Sequence, residues 1–235
     1  MKIAKLNGRP EIFYSVQGEG RNIGQPRVFI RSSLCNLKCT WCDTAYTWNW
    51  KKFKKEDEIV DITPQMIAEE VQRHRCKNLV FTGGEPLLQQ ESWVEIMGHL
   101  RGINARYYFE VETNGTFLPS DEFDLLINQY NVSPKLENSD NSQASREKKT
   151  AYSFFAESPK AFFKYVVVDE KDLDEILKLI GKYNISSDHI YLMPEGTTSK
   201  QLKAKSPWIK KICKTHGFHF SDRSHIHLYG SMRGV

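Results

Sequence analysis

The chain has 235 residues, of which 40% are hydrophobic and 26% charged, an ordinary composition that argues against disordered, collagenous and disulfide-scaffold proteins. Its formal net charge of +4 is too small to indicate nucleic-acid binding by itself. No apolar stretch approaches the ~18 residues that suggest a membrane span, and the first residues lack the apolar core of a secretory signal. We therefore expect a cytoplasmic protein with neither a nucleic acid nor a membrane as direct partner.

Strands and helices are predicted to alternate along the chain. Thr63-Pro64 is typical of a helix start, with threonine as the N-cap and proline in the first turn. Apolar residues at helical spacing predict helix faces at 93, 96, 97 and 100 and at 173, 176, 177 and 180. A further helix is expected to begin at Ser206-Pro207 and to end at Gly217. The remaining predicted elements are a short helix at 121–128 and strands at 27–31, 78–82, 107–111, up to 133, 162–168 and 190–193.

About six βα units in one chain predict an α/β fold with a parallel sheet. We expect a partial (β/α)6, TIM-like barrel in which residues 1–235 form one domain, with the active site at the C-terminal ends of the strands. Two stretches depart from the βα pattern. Residues 136–150 are polar and aperiodic, which predicts a surface insertion, and the basic run 51–55 is interpreted as a solvated loop or, alternatively, as a contact for an acidic partner.

Residues of chemical interest follow five of the predicted strands. They lie at 35–44, 83–86, 112–115, 133–135 and 193–196. One loop with glycine or proline would be ordinary turn chemistry. Five loops at equivalent positions favour a shared site, because the C-terminal ends of parallel strands meet at one face of a barrel.

The cysteine pattern gives the most specific indication of chemistry. Cys35, Cys39 and Cys42 share one short loop, CNLKCTWC. Three thiolates at this spacing can hold three irons of a [4Fe–4S] cluster and leave the fourth iron open to a small molecule. A zinc site would need a fourth ligand such as His74 or Cys76, and neither gives a recognisable spacing. A disulfide is not expected in a reducing compartment, so zinc and incidental cysteines are the remaining alternatives.

The cysteine motif, with Trp41 between its last two cysteines, and TGGEP at 82–86 resemble the radical S-adenosylmethionine enzymes. Longer segments resemble one family within them, the 7-carboxy-7-deazaguanine synthases. These segments extend from about residue 10 to the last residue, and comprise YSVQGEG at 14–20, CDT at 42–44, TGGEPLLQ at 82–89, ETNGT at 112–116, SPK at 133–135 and the ending HLYGSMRGV.

The resemblance implies a lyase of 7-deazapurine biosynthesis, the route to queuosine. An electron from the [4Fe–4S] cluster would cleave S-adenosylmethionine, and the resulting 5′-deoxyadenosyl radical would abstract a hydrogen atom. The substrate would be 6-carboxy-5,6,7,8-tetrahydropterin, converted to 7-carboxy-7-deazaguanine with loss of ammonia. The family also implies Mg²⁺, an electron-donor protein such as flavodoxin, and a homodimer.

The resemblance further implies roles for individual residues, none of them catalytic, because the radical comes from the cofactor. The cluster would be held by Cys35, Cys39 and Cys42. S-adenosylmethionine would be bound by Trp41, Cys42, Asp43, Gly84, Ser133, Pro134, Lys135, Met193, Pro194, Glu195 and Gly196. The pterin would be bound by Val16, Gln17, Gly18, Glu19, Arg31, Thr82 and the main-chain carboxylate of Val235. Mg²⁺ would be bound by the hydroxyl of Thr44, with the substrate's carboxylate completing the site.

Two other functions remain as alternatives. A glycyl-radical-enzyme activase shares the cysteine motif and a similar length, but lacks YSVQGEG and CDT in this arrangement. A non-catalytic iron–sulfur or zinc interaction module would not need loops with glycine and proline after five strands.

Overall fold

The computed structural model describes residues 1–235 and forms one mixed sheet flanked by helices. The strands are β1 (Lys2–Leu6), β2 (Arg9–Pro10), β3 (Ile12–Val16), β4 (Pro26–Ser32), β5 (Ile59–Asp61), β6 (Asn78–Gly83), β7 (Tyr108–Thr113), β8 (Gln129–Val132), β9 (Ala161–Val167), β10 (Ile190–Pro194) and β11 (His219–Phe220). The helices are α1 (Lys55–Glu58), α2 (Pro64–Gln72), α3 (Gln90–Ile103), α4 (Asp121–Leu126), α5 (Gln143–Arg146), α6 (Lys149–Glu157), α7 (Asp172–Tyr183), α8 (Ser199–His216) and α9 (Ser224–Tyr229). None of these helices combines the length and the apolar character needed to cross a bilayer.

Six parallel strands form the centre of the sheet in the order β4-β6-β7-β8-β9-β10, and the short β11 extends it in parallel. Spatial order follows chain order, as expected for successive βα units. The barrel does not close, because β4 pairs on its other side with the antiparallel strands β1 and β3. The predicted partial (β/α)6 barrel is confirmed.

The two faces of the sheet differ in polarity, because side chains alternate along each strand. On β7, Phe109 and Val111 belong to the apolar core beneath the helices. Across that core, Trp93 of α3 stacks on Phe81 of β6 with ring centroids 4.3 Å apart. Glu110 alternates with these apolar residues and points to the barrel interior, which is therefore polar.

The interior carboxylate of Glu110 organises the barrel floor. It is fully buried and accepts hydrogen bonds from Gln17 Nε2 at 2.9 Å, Asn22 Nδ2 at 2.8 Å and Asn131 Nδ2. Arg27 Nε lies 3.3 Å from its other side as a buried ion pair. A buried charge needs such partners to offset its desolvation. The cluster thereby fixes the loop between β3 and β4 inside the barrel.

The same loop closes the gap that the open sheet leaves. The amide of Gly20 donates to Ser221 Oγ at 2.8 Å, and the amide of Ser224 donates to the carbonyl of Gly18 at 2.9 Å. These bonds join the β3–β4 loop to the segment between β11 and α9. Glu19 and Arg223, which belong to these two segments, are thus brought to the same side of the barrel mouth.

The predicted strands and the helix start at Thr63-Pro64 are confirmed, and so is the helix that ends at Gly217, but its predicted start at Ser206 is wrong. That helix, α8, begins at Ser199, because Thr198 and Gln201 form a reciprocal capping box. Pro207 lies inside α8, and the helix ends at Gly217, whose φ of 70° suits the expected glycine C-cap.

The apolar face predicted for α7 is partly wrong. Ile176 and Leu179 are buried, whereas Leu177 is exposed. The buried face is formed by Asp172, Ile176 and Leu179, and Asp172, the first residue of the helix, accepts the amide of Val168 at 2.6 Å. By contrast, all four apolar residues predicted for the face of α3 are fully buried.

The surface position predicted for the stretch 136–150 holds for most of its residues, nine of which are exposed, but the stretch is structured and part of it turns inward. It contains α5 and the start of α6, and Leu136 and Ser139 within it are fully buried or nearly so. Arg146 is also buried and forms an ion pair with Glu175 of α7. The inward part was not predicted, because Asn138, Asn141 and Arg146 form partly buried polar contacts that hydropathy does not register.

Candidate active site

A cavity of about 240 Å³ opens at the C-terminal ends of the parallel strands. Residues from all five of the loops predicted to share a site line it, together with the β3–β4 loop. The residues that both the sequence and the cavity wall single out are Val16, Gln17, Gly18, Glu19, Arg31, Cys35, Cys39, Trp41, Cys42, Asp43, Thr44, Thr82, Gly84, Ser133, Lys135, Met193, Pro194, Glu195 and Val235.

Two of the predicted site residues, Pro134 and Gly196, do not line the cavity. Gly196 lies behind the wall, where its carbonyl accepts a hydrogen bond from Arg223 Nη1 at 2.7 Å. Pro134 lies between Ser133 and Lys135, both of which do face the cavity.

The three cysteines of the loop after β4 open into this cavity as free thiols. Asn141 Nδ2 lies 3.3 Å from Cys39 Sγ, and Trp48 Nε1 lies 3.4 Å from Cys42 Sγ. Cys35 receives the backbone N–H of Leu37, within the cysteine motif, and from outside the motif only a long contact, at 4.0 Å, from an asparagine amide. Two of the three sulfurs are thus approached by N–H donors that lie outside the cysteine motif.

Residues 138–141, which we call the brace, hold the cysteine loop from the opposite side. The backbone amide of Lys38 donates to Asn141 Oδ1 at 2.9 Å. The indole N–H of Trp41 donates to the carbonyl of Asn138 at 3.1 Å. The brace is the part of the 136–150 stretch that turns inward, so that stretch contributes directly to the site.

The donor set fits an iron–sulfur cluster. Burial, with a smaller contribution from Glu85, raises the pKa of the Cys35 thiol to about 12, and burial also raises the pKa of Cys39. These sulfurs become thiolates readily only next to added positive charge, such as iron supplies. The three cysteines do not converge with each other or with another His, Cys, Asp or Glu on one ion-sized position, which argues against a single zinc ion, whereas a [4Fe–4S] cluster binds each thiolate through a separate iron.

The glycine pair after β6 is required by the backbone of the cysteine loop. A Cβ on Gly84 would lie 2.0 Å from the carbonyl oxygen of Leu34, and one on Gly83 would lie 2.0 Å from that of Ser32. The φ of Gly83 is +132°, in the region that favours glycine. The two chain segments approach this closely because the amides of Gly84 and Glu85 donate to the carbonyls of Ser32 and Leu34.

A cluster of charged side chains lies on the other side of the cavity. Glu19 Oε1 accepts from Arg223 Nε at 2.8 Å, and its Oε2 accepts from Lys164 Nζ at 2.5 Å. Burial opposes ionisation of Glu19, but Lys164 and Arg223 outweigh it and hold its pKa well below the usual range. Burial likewise opposes the charge on Lys164, but Glu112 and Glu19 raise its pKa to about 12.

Arg223 connects three parts of the cavity wall. Besides Glu19, it donates to Asp43 Oδ2 at 2.5 Å and to the carbonyl of Gly196. Asp43 follows the last cysteine, and Gly196 belongs to the loop after β10. Burial lowers the pKa of His225, two residues further along the chain.

Arg31 enters the cavity from the end of β4. Its Nε donates to Glu11 Oε1 at 2.8 Å, and the fully buried Glu11 also pairs with Arg233 at 3.0 Å. Only Nε of Arg31 is engaged by the protein, so its Nη groups remain free for a ligand. Glu11 thus orients the guanidinium without consuming its two terminal donors.

Sequence reasoning missed several cavity residues, and for some of them a signal existed. Lys164 is the single charged residue in the otherwise apolar strand β9. Glu112 belongs to the predicted site loop 112–115 but was given no role, although it continues the period-two alternation of Glu110 along β7. Arg223 and His225 follow no pattern, and only the tertiary structure brings them to the site.

Comparison with known proteins adds a family context. The sequence profile of the Radical SAM superfamily matches residues 29–140. The 7-carboxy-7-deazaguanine synthase of Pyrobaculum aerophilum is 35% identical over 225 residues, which cover 95% of each chain. That of Rhodopirellula baltica is 34% identical, covering 96% of this chain and 87% of the relative. That of Halobacterium salinarum is 33% identical, covering 93% and 89%.

Solved structures agree on the fold. QueE from Escherichia coli superposes with a TM-score of 0.66 at 22% identity, covering 90% of this chain and 91% of that one. Streptococcus suis SuiB bound to S-adenosylmethionine gives a TM-score of 0.56 at 12% identity, covering 83% and 49%.

Proposed function

Because the chain belongs to the 7-carboxy-7-deazaguanine synthase family of radical S-adenosylmethionine enzymes, we propose that it converts 6-carboxy-5,6,7,8-tetrahydropterin to 7-carboxy-7-deazaguanine and ammonia. One observation carries the proposal: the three cysteine thiols and the charged Glu19 cluster line the same cavity. A cofactor on one wall and a polar heterocycle on the other would therefore meet. The reaction is a carbon–nitrogen lyase step within 7-deazapurine biosynthesis.

The cysteine wall suits the cofactor. Cys35, Cys39 and Cys42 would hold a [4Fe–4S] cluster there, which would supply the electron for reductive cleavage of S-adenosylmethionine and thereby the radical chemistry on the pterin. Lys135 supports binding of the methionine end, because its ammonium is held by the carbonyl and hydroxyl of Ser133 at 2.8 and 2.9 Å beside the cavity. Trp41 lies under that ammonium, 5.5 Å from it, and Asp43 and Gly84 continue this wall.

The loop after β10 supports the adenosine end. Met193, Pro194 and Glu195 offer apolar surface and one acceptor, and Lys205 holds the Glu195 carboxylate at 2.7 Å. Gly196 would act from behind the wall through its contact with Arg223. Pro134 would act only by shaping the Ser133–Lys135 turn.

The opposite wall suits the pterin. A carboxylate accepts two parallel N–H donors, which the amino-pyrimidinone edge of a pterin presents, and we assign this role to Glu19. The free Nη groups of Arg31 suit the substrate's carboxylate. The remaining wall on this side combines apolar surface with backbone and amide groups, from Val16, Gln17, Gly18, Thr82 and Val235.

Apolar side chains complete the cavity and exclude water from the reacting atoms. Phe13 and Phe29 stack with ring centroids 5.2 Å apart, and both line the cavity together with Leu37 and Val166. A radical on carbon survives only where competing donors are kept away. These side chains and the β3–β4 loop shield the reacting atoms from solvent.

We propose that Thr44 binds Mg²⁺ together with the substrate's carboxylate. Mg²⁺ prefers oxygen ligands and keeps several of its waters. One hydroxyl from the protein and one carboxylate from the substrate are therefore enough to complete its coordination. The support is the position of Thr44 in the cavity wall, next to the last cysteine.

Further proposals concern partners and organisation. The family's chemistry requires a reductant, and a flavodoxin-type donor is supported by the exposed lysines at 51, 52, 54 and 55, which follow the cysteine loop. A homodimer is supported by the resemblance and by the exposed apolar residues Leu228, Tyr229 and Met232. The continuous sheet and core support residues 1–235 as a single radical SAM domain. A cytoplasmic location stays a prediction, based on the five free cysteines.

The test is anaerobic reconstitution with iron and sulfide, followed by assays of S-adenosylmethionine cleavage with and without the pterin. We expect about four irons per chain and product only with the pterin, and Cys39→Ala should lose both iron and cleavage. Cys213→Ala is the matched control, because this cysteine is buried away from the cavity. Cleavage that ignores the pterin and requires a protein partner would favour the activase, and no cleavage at full iron content would favour a binding module.

A further inference from the structure

Two side-chain N–H donors from outside the cysteine motif approach the cysteine sulfurs, and the Thr44 hydroxyl lies 3.6 Å from Cys42 Sγ. Asn141 Nδ2 lies 3.3 Å from Cys39 Sγ, and Trp48 Nε1 lies 3.4 Å from Cys42 Sγ. Both distances suit N–H···S hydrogen bonds, which are longer than N–H···O bonds because sulfur is larger. The donors come from different parts of the chain, so they can be changed separately.

We propose that Asn141 and Trp48 are positioning residues that raise the reduction potential of the iron–sulfur cluster by donating hydrogen bonds to its cysteine sulfurs. The proposal rests on the cluster that the proposed function requires. Reduction adds negative charge to the cluster and its sulfurs, and an N–H dipole directed at a sulfur stabilises that charge. Hydrogen bonds to the sulfurs are one of the means by which proteins tune such potentials.

The orientation of the Asn141 amide is fixed by the protein. Its Oδ1 accepts the backbone N–H of Lys38 at 2.9 Å, so the amide nitrogen must be the atom that faces Cys39. The main chain at Asn141 is held as well, because its carbonyl accepts from Arg146 Nε at 3.1 Å. Arg146 is in turn paired with Glu175 of α7, so the brace is tied to the outer helices.

Trp48 is held in a different way. The carbonyl of the preceding residue, Thr47, accepts the amide of Leu34 at 2.8 Å, and Thr47 is fully buried. The amide of Trp48 donates to the carbonyl of Ala45 at 3.2 Å. The indole thus extends from a fixed turn, and its single N–H has Cys42 as its partner.

The third cysteine, Cys35, receives a backbone N–H from Leu37 but lacks a close side-chain donor from outside the motif. The Asn114 amide nitrogen lies 4.0 Å from Cys35 Sγ and is engaged by Asn36 Oδ1 at 2.9 Å. The tuning we propose therefore acts through two sulfurs, and removal of either donor should have a separate, additive effect.

The experiment is a redox titration of the reconstituted protein without S-adenosylmethionine or pterin, followed by electron paramagnetic resonance, with iron measured on each sample. Asn141→Leu and Trp48→Phe should each shift the midpoint potential to a more negative value at unchanged iron content, and the double variant should show approximately the sum. Asn141→Asp keeps the acceptor for Lys38 but replaces the donor with a negative charge, so its shift should be larger.

Ser142→Ala is the matched control. Its exposed hydroxyl lies on the same stretch and contacts only Ser145, so its midpoint should not move. An unchanged midpoint in Trp48→Phe and in Asn141→Asp would overturn the proposal. The proposal would also be overturned if Asn141→Leu lost iron while the midpoint potentials of Trp48→Phe and Asn141→Asp stayed unchanged. Asn141 and Trp48 would then support only the structure of the cysteine loop. The midpoint is measured without the pterin, so a failure of the proposed substrate leaves this result unaffected.

Discussion

Lys164 Nζ lies 2.5 Å from Glu19 Oε2, and both side chains are buried at the mouth of the barrel. The other oxygen of Glu19 accepts from Arg223 at 2.8 Å. A carboxylate has about four lone-pair positions, so two cations leave room for two further donors. The carboxylate is thus kept ionised and oriented while it can still accept the paired N–H groups of a pterin edge.

Replacing this carboxylate should weaken pterin binding. Glu19→Gln keeps the shape but turns one acceptor into a donor, which faces the N–H groups of the ligand. We expect the affinity for the pterin to fall by about tenfold or more, as measured by calorimetry on the reconstituted protein. Glu147→Gln is the control, because Glu147 is also paired with a lysine but lies outside the cavity. Equal pterin affinity in Glu19→Gln and the unchanged protein would remove Glu19 from the pterin site.

The same variant should change how stability depends on pH. The folded pKa of Glu19 lies well below its ordinary value of 4.5, so its stabilising contribution is present above about pH 4.5 and is lost as the pH falls through the folded value. Urea unfolding at pH 7, 5 and 4 should show a gap between the unchanged protein and Glu19→Gln that narrows toward acid.

Between pH 6 and 9 we expect the stability difference between the unchanged protein and Glu19→Gln to be independent of pH. The pKa of Lys164 is raised to about 12, so its contribution persists through ordinary alkaline pH and is lost only as the pH approaches that value. The gap should therefore stay constant between pH 6 and 9. A gap that is the same at pH 4 and pH 7 would contradict the lowered pKa of Glu19.

Gly84→Ala should damage the cysteine loop even before any cofactor binds. The new Cβ would lie 2.0 Å from the carbonyl oxygen of Leu34, so the backbone must shift, at a cost of about 1–3 kcal/mol in the free energy of unfolding. Iron uptake on reconstitution should fall with it. Gly98→Ala is the matched control, because nothing lies within 4 Å of its new Cβ on α3, and it should stabilise the protein by about 0.5–1 kcal/mol. Normal stability and iron content in Gly84→Ala would show that the loop tolerates the change.

Thr44→Val removes a hydroxyl at nearly constant volume. If Thr44 binds Mg²⁺, turnover should fall or should require more Mg²⁺, while iron content and S-adenosylmethionine binding remain normal. Assays over a range of Mg²⁺ concentrations measure this directly. An unchanged Mg²⁺ dependence would exclude Thr44 as a ligand.

The parallel strands and the site loops could be predicted because their signals are local. The strand β9 was recognised from its apolar residues, but Lys164 within it was not chosen, since one charge inside a buried strand has no local explanation. The start of α8 was not predicted correctly because Ser206-Pro207 has the residue pattern of a helix start. The capping box of Thr198 and Gln201 begins the helix seven residues before Ser206 in the sequence. The role of Asn141 could not be predicted, because its partner is a cysteine 102 residues away in the sequence.

That separation has a consequence for how the cofactor is loaded. All three cysteines are synthesised long before the brace, yet the loop that carries them is held by Asn138 and Asn141. Since domains fold largely as units once enough chain has emerged, the cysteine loop gains its final shape only after β8 and the brace are in position. We therefore expect cluster insertion to follow folding. In refolding without oxygen, iron uptake should lag behind the recovery of the native tryptophan fluorescence, and uptake that comes first would contradict this order.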